Sequence, residues 1–223
     1  MNNKKFLQAL PSHREINYFR EKLIKWFCGN ERRYPWRETS DPFKVLIAEI
    51  MLRRTKADQV KPVYENLFNK YPDIESLANV SENELFSLLA PLGLRWRNSA
   101  FHLIASELKD KYKSKVPDKR EKLKELPGVG EYVAGAVLSI AYGKKEWIVD
   151  SNIVRIFKRY FGIMIIGEGR RKKLIIELSK VYILCKNPRI ANLAILDFAA
   201  LVCIPRKPLC EECILRKKCK RNI

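Results

Sequence analysis

The chain has 223 residues, is 47% hydrophobic with charge scattered along its length, and carries a formal net charge of +19. That length is enough for a sizeable core in one large or two small domains, and the composition excludes a disordered chain. No segment approaches about eighteen uninterrupted apolar residues and no lipidation signal is present, so the excess of Lys and Arg points to nucleic acid before membrane. The plainer alternative is a basic protein that is merely soluble.

The N-terminal MNNKKFLQALPSHRE is too short and too polar for a signal peptide. The expectation is an intracellular, cytoplasmic protein, where clustered cysteines hold metal more often than they form disulfides. Residues 13–28 read as an amphipathic helix with Ile16, Phe19, Leu23, Ile24 and Phe27 on one side, and Cys28 is expected in the core. A basic, aromatic loop, Arg33-Tyr34-Pro35-Trp36-Arg37, follows. Asp41-Pro42 then marks a helix start, with the aspartate as N-cap and the proline at the first helical position.

The helix opened there, Phe43 to Arg54, carries Glu49 inside an otherwise apolar run. A carboxylate so placed has a raised pKa if buried unpaired, or needs a partner; a core residue satisfied by a nearby arginine is the simpler alternative. Arg53 and Arg54 close the run. They either favour the helix dipole or enter the nucleic acid. From Val60 to Leu108 the pattern is helical, broken at Tyr71-Pro72, Asn79–Asn83 and Pro91-Leu92-Gly93, with Ser81 and Glu84 spaced as a capping box. Leu92–Arg97, rich in arginine and tryptophan, adds Arg95 and Arg97 as candidate contacts to nucleic acid. His102 lies in a helical run and reads as structural.

Leu126-Pro127-Gly128-Val129-Gly130 reads as a tight hairpin, since two glycines one residue apart permit φ > 0 and leave backbone N–H groups uncovered. Lys119–Glu125 before it and Glu131–Tyr142 after it read as helices, with Gly143 as terminator. Such a loop aims N–H groups and a helix N-terminus at one point, which suits a phosphate oxygen. It grips a backbone and does not read bases. Twenty residues past Gly130 stands Asp150, after Trp147-Ile148-Val149 and before the amphipathic run Ile153–Phe161. As an isolated feature Asp150, or Ser151 after it, reads as an N-cap for that run.

Lys173–Leu184 reads as another helix, with Cys185 buried, and Leu193–Cys203 as a helix buried on most sides in which Asp197 is a structural carboxylate that caps or pairs with a neighbouring segment. No run alternates like a strand, so the protein is expected to be all-α. Four of the six cysteines, Cys203, Cys210, Cys213 and Cys219, end the chain with the spacing C-x6-C-x2-C-x5-C. Four soft thiolates in a compact loop fit one tetrahedral metal centre or a cubane cluster, and only one C-x2-C pair argues against a zinc knuckle. Arg206, Lys207, Arg216, Lys217, Lys218, Lys220 and Arg221 surround them.

The hairpin with its distal aspartate, the apolar helix with Glu49 and Arg-Arg, and the cysteine loop together resemble the helix-hairpin-helix DNA glycosylase superfamily, in its iron-sulfur branch. The likeness spans about residues 30–219. It implies an all-α, two-domain fold, with DNA bound across the cleft between a six-helix barrel at 34–150 and a domain of residues 1–33 plus 151–223. It also implies a [4Fe-4S] cluster on Cys203, Cys210, Cys213 and Cys219, and the hairpin Gly128, Val129 and Gly130 on the DNA backbone.

Enzymes resembling endonuclease III carry a lysine just after the hairpin, for Schiff-base chemistry; here Tyr132 stands at that position, and without an amine the expectation is a monofunctional enzyme. Adenine-mismatch glycosylases usually carry serine there and add a C-terminal domain, whereas this chain stops four residues after Cys219. Tyr132, and Leu52-Arg53-Arg54-Thr55 in place of the Leu-Gln-Gln-Thr of adenine enzymes, look most like archaeal-type thymine-DNA mismatch glycosylases. The resemblance implies a monomer acting on double-stranded DNA with a mispaired base, removing thymine or uracil opposite guanine. Asp150 would stay ionised beside the sugar, Glu49 would line the base pocket, Tyr132 would pack against the extruded nucleotide, and Arg53 or Arg54 would fill the stack or read the orphan guanine. An adenine glycosylase, a non-catalytic DNA binder and an abasic-site lyase are the competing expectations.

Overall fold

The computed structural model describes residues 10–93, 98–165 and 167–221, Asn98 through its backbone alone, and among these every regular element is helical. Two compact units emerge, one of Arg33–Tyr142 and one of Met1–Arg32 with Gly143–Ile223. The division expected after Asp150 falls instead at Tyr142/Gly143. Gly143 takes φ +65° there, and the strap after it is fastened within the second unit: Ser179 Oγ donates to the Ile148 carbonyl at 2.8 Å and Asn192 Nδ2 to that of Glu146 at 3.1 Å.

In that unit α1, His13–Phe27, starts at a reciprocal capping box: the Ser12 hydroxyl accepts from the Glu15 N–H, and the Glu15 carboxylate from the Ser12 N–H. Its apolar stripe of Ile16, Phe19, Leu23 and Phe27 is buried. Cys28, expected inside, is the exposed C-cap, because the helix ends one residue earlier at a turn where Gly29 takes φ +92°.

The other unit follows in sequence with α2, Pro35–Glu38, α3, Pro42–Met51, α4, Ala57–Lys70, α5, Ile74–Ala78, α6, Glu82–Leu89, a 3-10 turn, Ala90–Leu92, then α7, Asn98–Tyr112, α8, Arg120–Glu125, and α9, Glu131–Ile140. Asp41 caps α3 by accepting from the N–H groups of Phe43 and Lys44, with Pro42 at N1. Ser81 caps α6, but Glu84 faces Lys70 at 3.8 Å. The core is lined by α3 and α9, which pack together, and by α5 and α6 against α7. Both α3 and α9 are buried nearly all round, which is why neither shows a clean amphipathic stripe in sequence.

The chain then returns to the unit that holds α1 with α10, Ser151–Phe161, α11, Lys173–Tyr182, and α12, Pro188–Leu201. Phe19 of α1 sits among the rings of Phe157, Tyr160, Phe161 and Tyr182 at centroid distances of 6.0, 4.6, 5.1 and 5.8 Å. Such pairs contribute roughly 0.5–1.5 kcal/mol each beyond the area they bury. Asp197, fully buried on α12, accepts from the Arg32 N–H at 2.9 Å and from Arg32 Nε at 2.7 Å, the neighbouring-segment pairing that its apolar surroundings demanded.

Candidate active site

The hairpin between α8 and α9 uses its two glycines differently. Gly128 takes φ +74°, the left-handed region that costs an L-residue about 1–2 kcal/mol. Gly130 has φ −102° and is the N-cap of α9, with open space where a Cβ would stand and no capping side chain. Val129, expected among the contacts, has a buried side chain and donates its N–H to the Leu126 carbonyl at 3.1 Å, so it anchors the turn from inside. The first N–H groups of α9 have no intrahelical acceptor and lie at the positive end of the helix dipole.

Two arginines brace this loop. Arg53 Nη1 donates to the Gly128 carbonyl at 3.0 Å. Arg120 Nη1 donates to the Glu131 carbonyl at 2.8 Å and pairs with its carboxylate at 3.1 Å. Burial pushes the Glu131 carboxyl up, but Lys124 and Arg120 beside it outweigh burial and hold its pKa below the usual range.

Arg53 and Arg54 do not end a helix as expected. The helix α3 stops at Met51, and the turn that follows puts Arg54, exposed, at φ +62°. The two side chains therefore part: Arg53 reaches back to the hairpin, and Arg54 is left at the tip. Glu49, in the last turn of α3, is buried at 5% exposure, and Tyr132 is half-buried in the first turn of α9. Both belong to the unit with the hairpin, on two helices that pack together. Arg95 and Arg97 lie outside the described residues.

Asp150 belongs to the other unit, where it is the N-cap of α10. Its Oδ1 accepts from the Ile153 N–H at 2.7 Å and its Oδ2 from Asn152 Nδ2 at 2.6 Å. The carboxylate is only partly buried, so the capping role and a chemical role are compatible.

The four C-terminal cysteines lie in the same unit, all free and partly buried. Among the described residues no three Cys, His, Asp or Glu side chains converge on a metal-binding point. The thiols nevertheless sense one another. Burial pushes Cys213 up, the Leu215 N–H opposes it, and charge on Cys219, Cys203 and Cys210 adds to the rise. Burial likewise raises Cys219, against the Arg221 N–H, and Cys203 and Cys210 raise it further. Arg221, whose charge favours the Cys219 thiolate, keeps a buried Nη1 that finds no acceptor among the described residues. A soft donor set with a buried guanidinium nitrogen beside it that has no acceptor among the described residues fits an anionic metal-thiolate centre.

Residues 47–182 match the family of HhH-GPD superfamily base excision DNA repair proteins. The chain is 35% identical to the thymine/uracil-DNA glycosylase of Methanothermobacter thermautotrophicus, over 93% of this chain and 95% of that one. It is 38% identical to the thymine-DNA glycosylase of Aeropyrum pernix, over 92% and 94%. The chain belongs to the HhH-GPD superfamily. Among solved structures in the same fold, a thermostable thymine-DNA glycosylase superposes with a TM-score of 0.88 at 35% identity, covering 93% of this chain and 96% of that one. A trapped endonuclease III–DNA covalent intermediate gives 0.78 at 25% identity, covering 95% and 97%.

Within this superfamily member, sequence reasoning passed over Asn152, Arg155 and Arg120. Asn152 and Arg155 follow the aspartate at two and five residues, the spacing that sets them three apart on one helix face. That row was legible beside Asp150. Arg120's attachment to Glu131 crosses the hairpin and carries no periodic signal.

Proposed function

We propose that the chain is a monofunctional DNA glycosylase that removes thymine or uracil mispaired with guanine, working as a monomer on double-stranded DNA in the cytoplasm. The observation that carries this reading is similarity along nearly the whole chain to proteins named thymine or thymine/uracil-DNA glycosylases. Tyr132, in the place of the Schiff-base lysine, supports hydrolysis without strand cleavage.

The residues act in order. The net charge of +19 draws the chain to the duplex. The uncapped N-terminus of α9 and the Gly128–Gly130 turn receive a phosphate, held in shape by Arg53 and Arg120. A mispaired pyrimidine costs least to extrude, and Arg54 at its exposed tip occupies the gap or meets the orphan guanine. Glu49 bonds the pyrimidine edge, and Tyr132 packs on the extruded nucleotide. The Asp150 carboxylate stabilises the cationic sugar or orients water.

Cys203, Cys210, Cys213 and Cys219 are the residues that would hold a [4Fe-4S] cluster. When bound, it supplies four iron-thiolate links that cross-link the basic C-terminal loop.

The test is base release from duplexes of one sequence holding T·G, U·G, A·G or A opposite 8-oxoguanine, half of each sample receiving alkali. Breaks at T and U that need alkali are expected. Release of adenine would instead favour the adenine-glycosylase reading. Breaks without alkali, trapped as an adduct by borohydride, would favour a lyase.

A further inference from the structure

At the start of α9 one carboxylate holds two cations. Glu131, the first residue of the helix, turns its side chain to α8, where each oxygen meets one positive charge. Oε2 pairs with Arg120 Nη1 at 3.1 Å, and Oε1 accepts from Lys124 Nζ.

The two cations are not equivalent. Arg120 is 11% exposed and donates the same Nη1 to the Glu131 carbonyl at 2.8 Å, so it stays on the backbone of α9 whatever the carboxylate does. Lys124 is 40% exposed, and its ammonium rests on a carboxylate that is itself 48% exposed. An ion pair so open to water adds little to stability and is exchanged at little cost. An ammonium with three donors on a flexible stem can turn to a new anion without moving its helix.

A phosphodiester gripped by the N-terminus of α9 would lie beside the Glu131 carboxylate, like charge against like. The approach is otherwise open, with free space where Gly130 would carry a Cβ and with the first N–H groups of the helix aimed at the anion. Lys124 stands two residues before the hairpin in sequence and at the first residue of α9 in space. It is the exchangeable cation within reach of that phosphate.

We infer that Lys124 is a DNA-phosphate ligand held in reserve on Glu131, whose carboxylate stands in for the phosphate in the free protein and gives up the ammonium when a duplex arrives. The inference rests on the reading of the hairpin as the grip on a DNA backbone. Arg120 remains on Glu131 through the exchange, so the loop keeps its shape, and the carboxylate oxygen that loses Lys124 turns to water. Each binding event must break the internal pair, which lowers affinity for every duplex alike and favours release from undamaged DNA.

The experiment is a double-mutant cycle on binding to an undamaged duplex, using wild type, Lys124→Ala, Glu131→Gln and the double variant. Glu125→Gln is the control: Glu125 pairs with Lys122 at 2.9 Å on the same helix, so the same charge is removed without touching Lys124. Glu131→Gln is expected to tighten binding several-fold, and more than the control does. Lys124→Ala is expected to weaken binding more in the Glu131→Gln background than in wild type, and there to lower the slope of log affinity against log salt by about one. If Lys124 only neutralises Glu131, the order reverses: its loss weakens binding in wild type and does nothing once the carboxylate is gone. A cost that is equal in the two backgrounds, or reversed in that way, would overturn the inference.

Inorganic phosphate gives a second readout that needs neither duplex nor activity. Its titration should move the NMR signal of the Lys124 ammonium together with the Gly130 and Glu131 amides, at several-fold lower phosphate in Glu131→Gln. An ammonium signal that phosphate does not move would also overturn the inference. Wild type that binds no duplex would defeat the reading of the hairpin as a DNA grip, while the phosphate titration would still decide whether Lys124 leaves Glu131 for a phosphate.

Discussion

Two helix N-termini carry the candidate chemistry, and they are finished in opposite ways. Helix α9 starts at Gly130 with no capping side chain, whereas α10 starts at Asp150, whose carboxylate takes the Ile153 N–H. The first leaves its positive end open for an anion from outside; the second brings its own anion and holds it partly exposed. One end is thus built to grip and the other to present a fixed negative charge. The supports differ as well. The gripping loop is shaped by a left-handed glycine and two bracing arginines, and the presenting end by the pinned strap before it and the polar row after it.

The contrast can be broken from either side. Gly128→Ala forces an alanine into the left-handed region and should cost about 1–2 kcal/mol in urea unfolding, with a parallel loss of duplex affinity. Asp150→Ala should cost about 1 kcal/mol as a lost N-cap, while Asp150→Asn, an equally good cap, should cost almost nothing. Gly130→Asp is the converse change: it has room for its side chain and a compatible φ. It should stabilise α9 by a few tenths of a kcal/mol and weaken duplex binding, because the new carboxylate occupies the N–H groups meant for a phosphate. The slope of log affinity against log salt should fall by about one charge.

The smallest effect belongs to Glu131. Its pKa is held below the unfolded value, so its contribution to stability is present at neutral pH and fades as pH falls through the folded-state pKa. Its side chain is 48% exposed, so solvent screening keeps the contribution small. Glu131→Gln should flatten the acid limb of stability against pH slightly and leave stability at alkaline pH unchanged.

Much of this was written in local sequence. Asp41-Pro42, the Gly128/Gly130 pair and the Asp150 cap each act on residues within one turn, so composition and spacing exposed them. Glu49 was visible because a carboxylate in an apolar run is costly wherever it folds. What escaped was long-range or depended on where a helix stops. The bond from Arg53 to Gly128 spans 75 residues and sets apart two arginines that look alike in sequence. Cys28 fits a helical stripe, but one residue of helix less turns it out to solvent. Gly130 and Gly128 look interchangeable, and only the backbone angles show that one is required by conformation and the other by access.

The central claim is that the cap of α10 is also the catalytic carboxylate, and Asp150→Asn tests it most directly, because asparagine preserves the cap and removes the charge. Single-turnover release of thymine and uracil from G mispairs should fall by roughly 10² or more, the scale of a lost electrostatic or acid/base group, at an unchanged unfolding midpoint. Release at the wild-type rate would contradict the account and leave Asp150 as a helix cap alone.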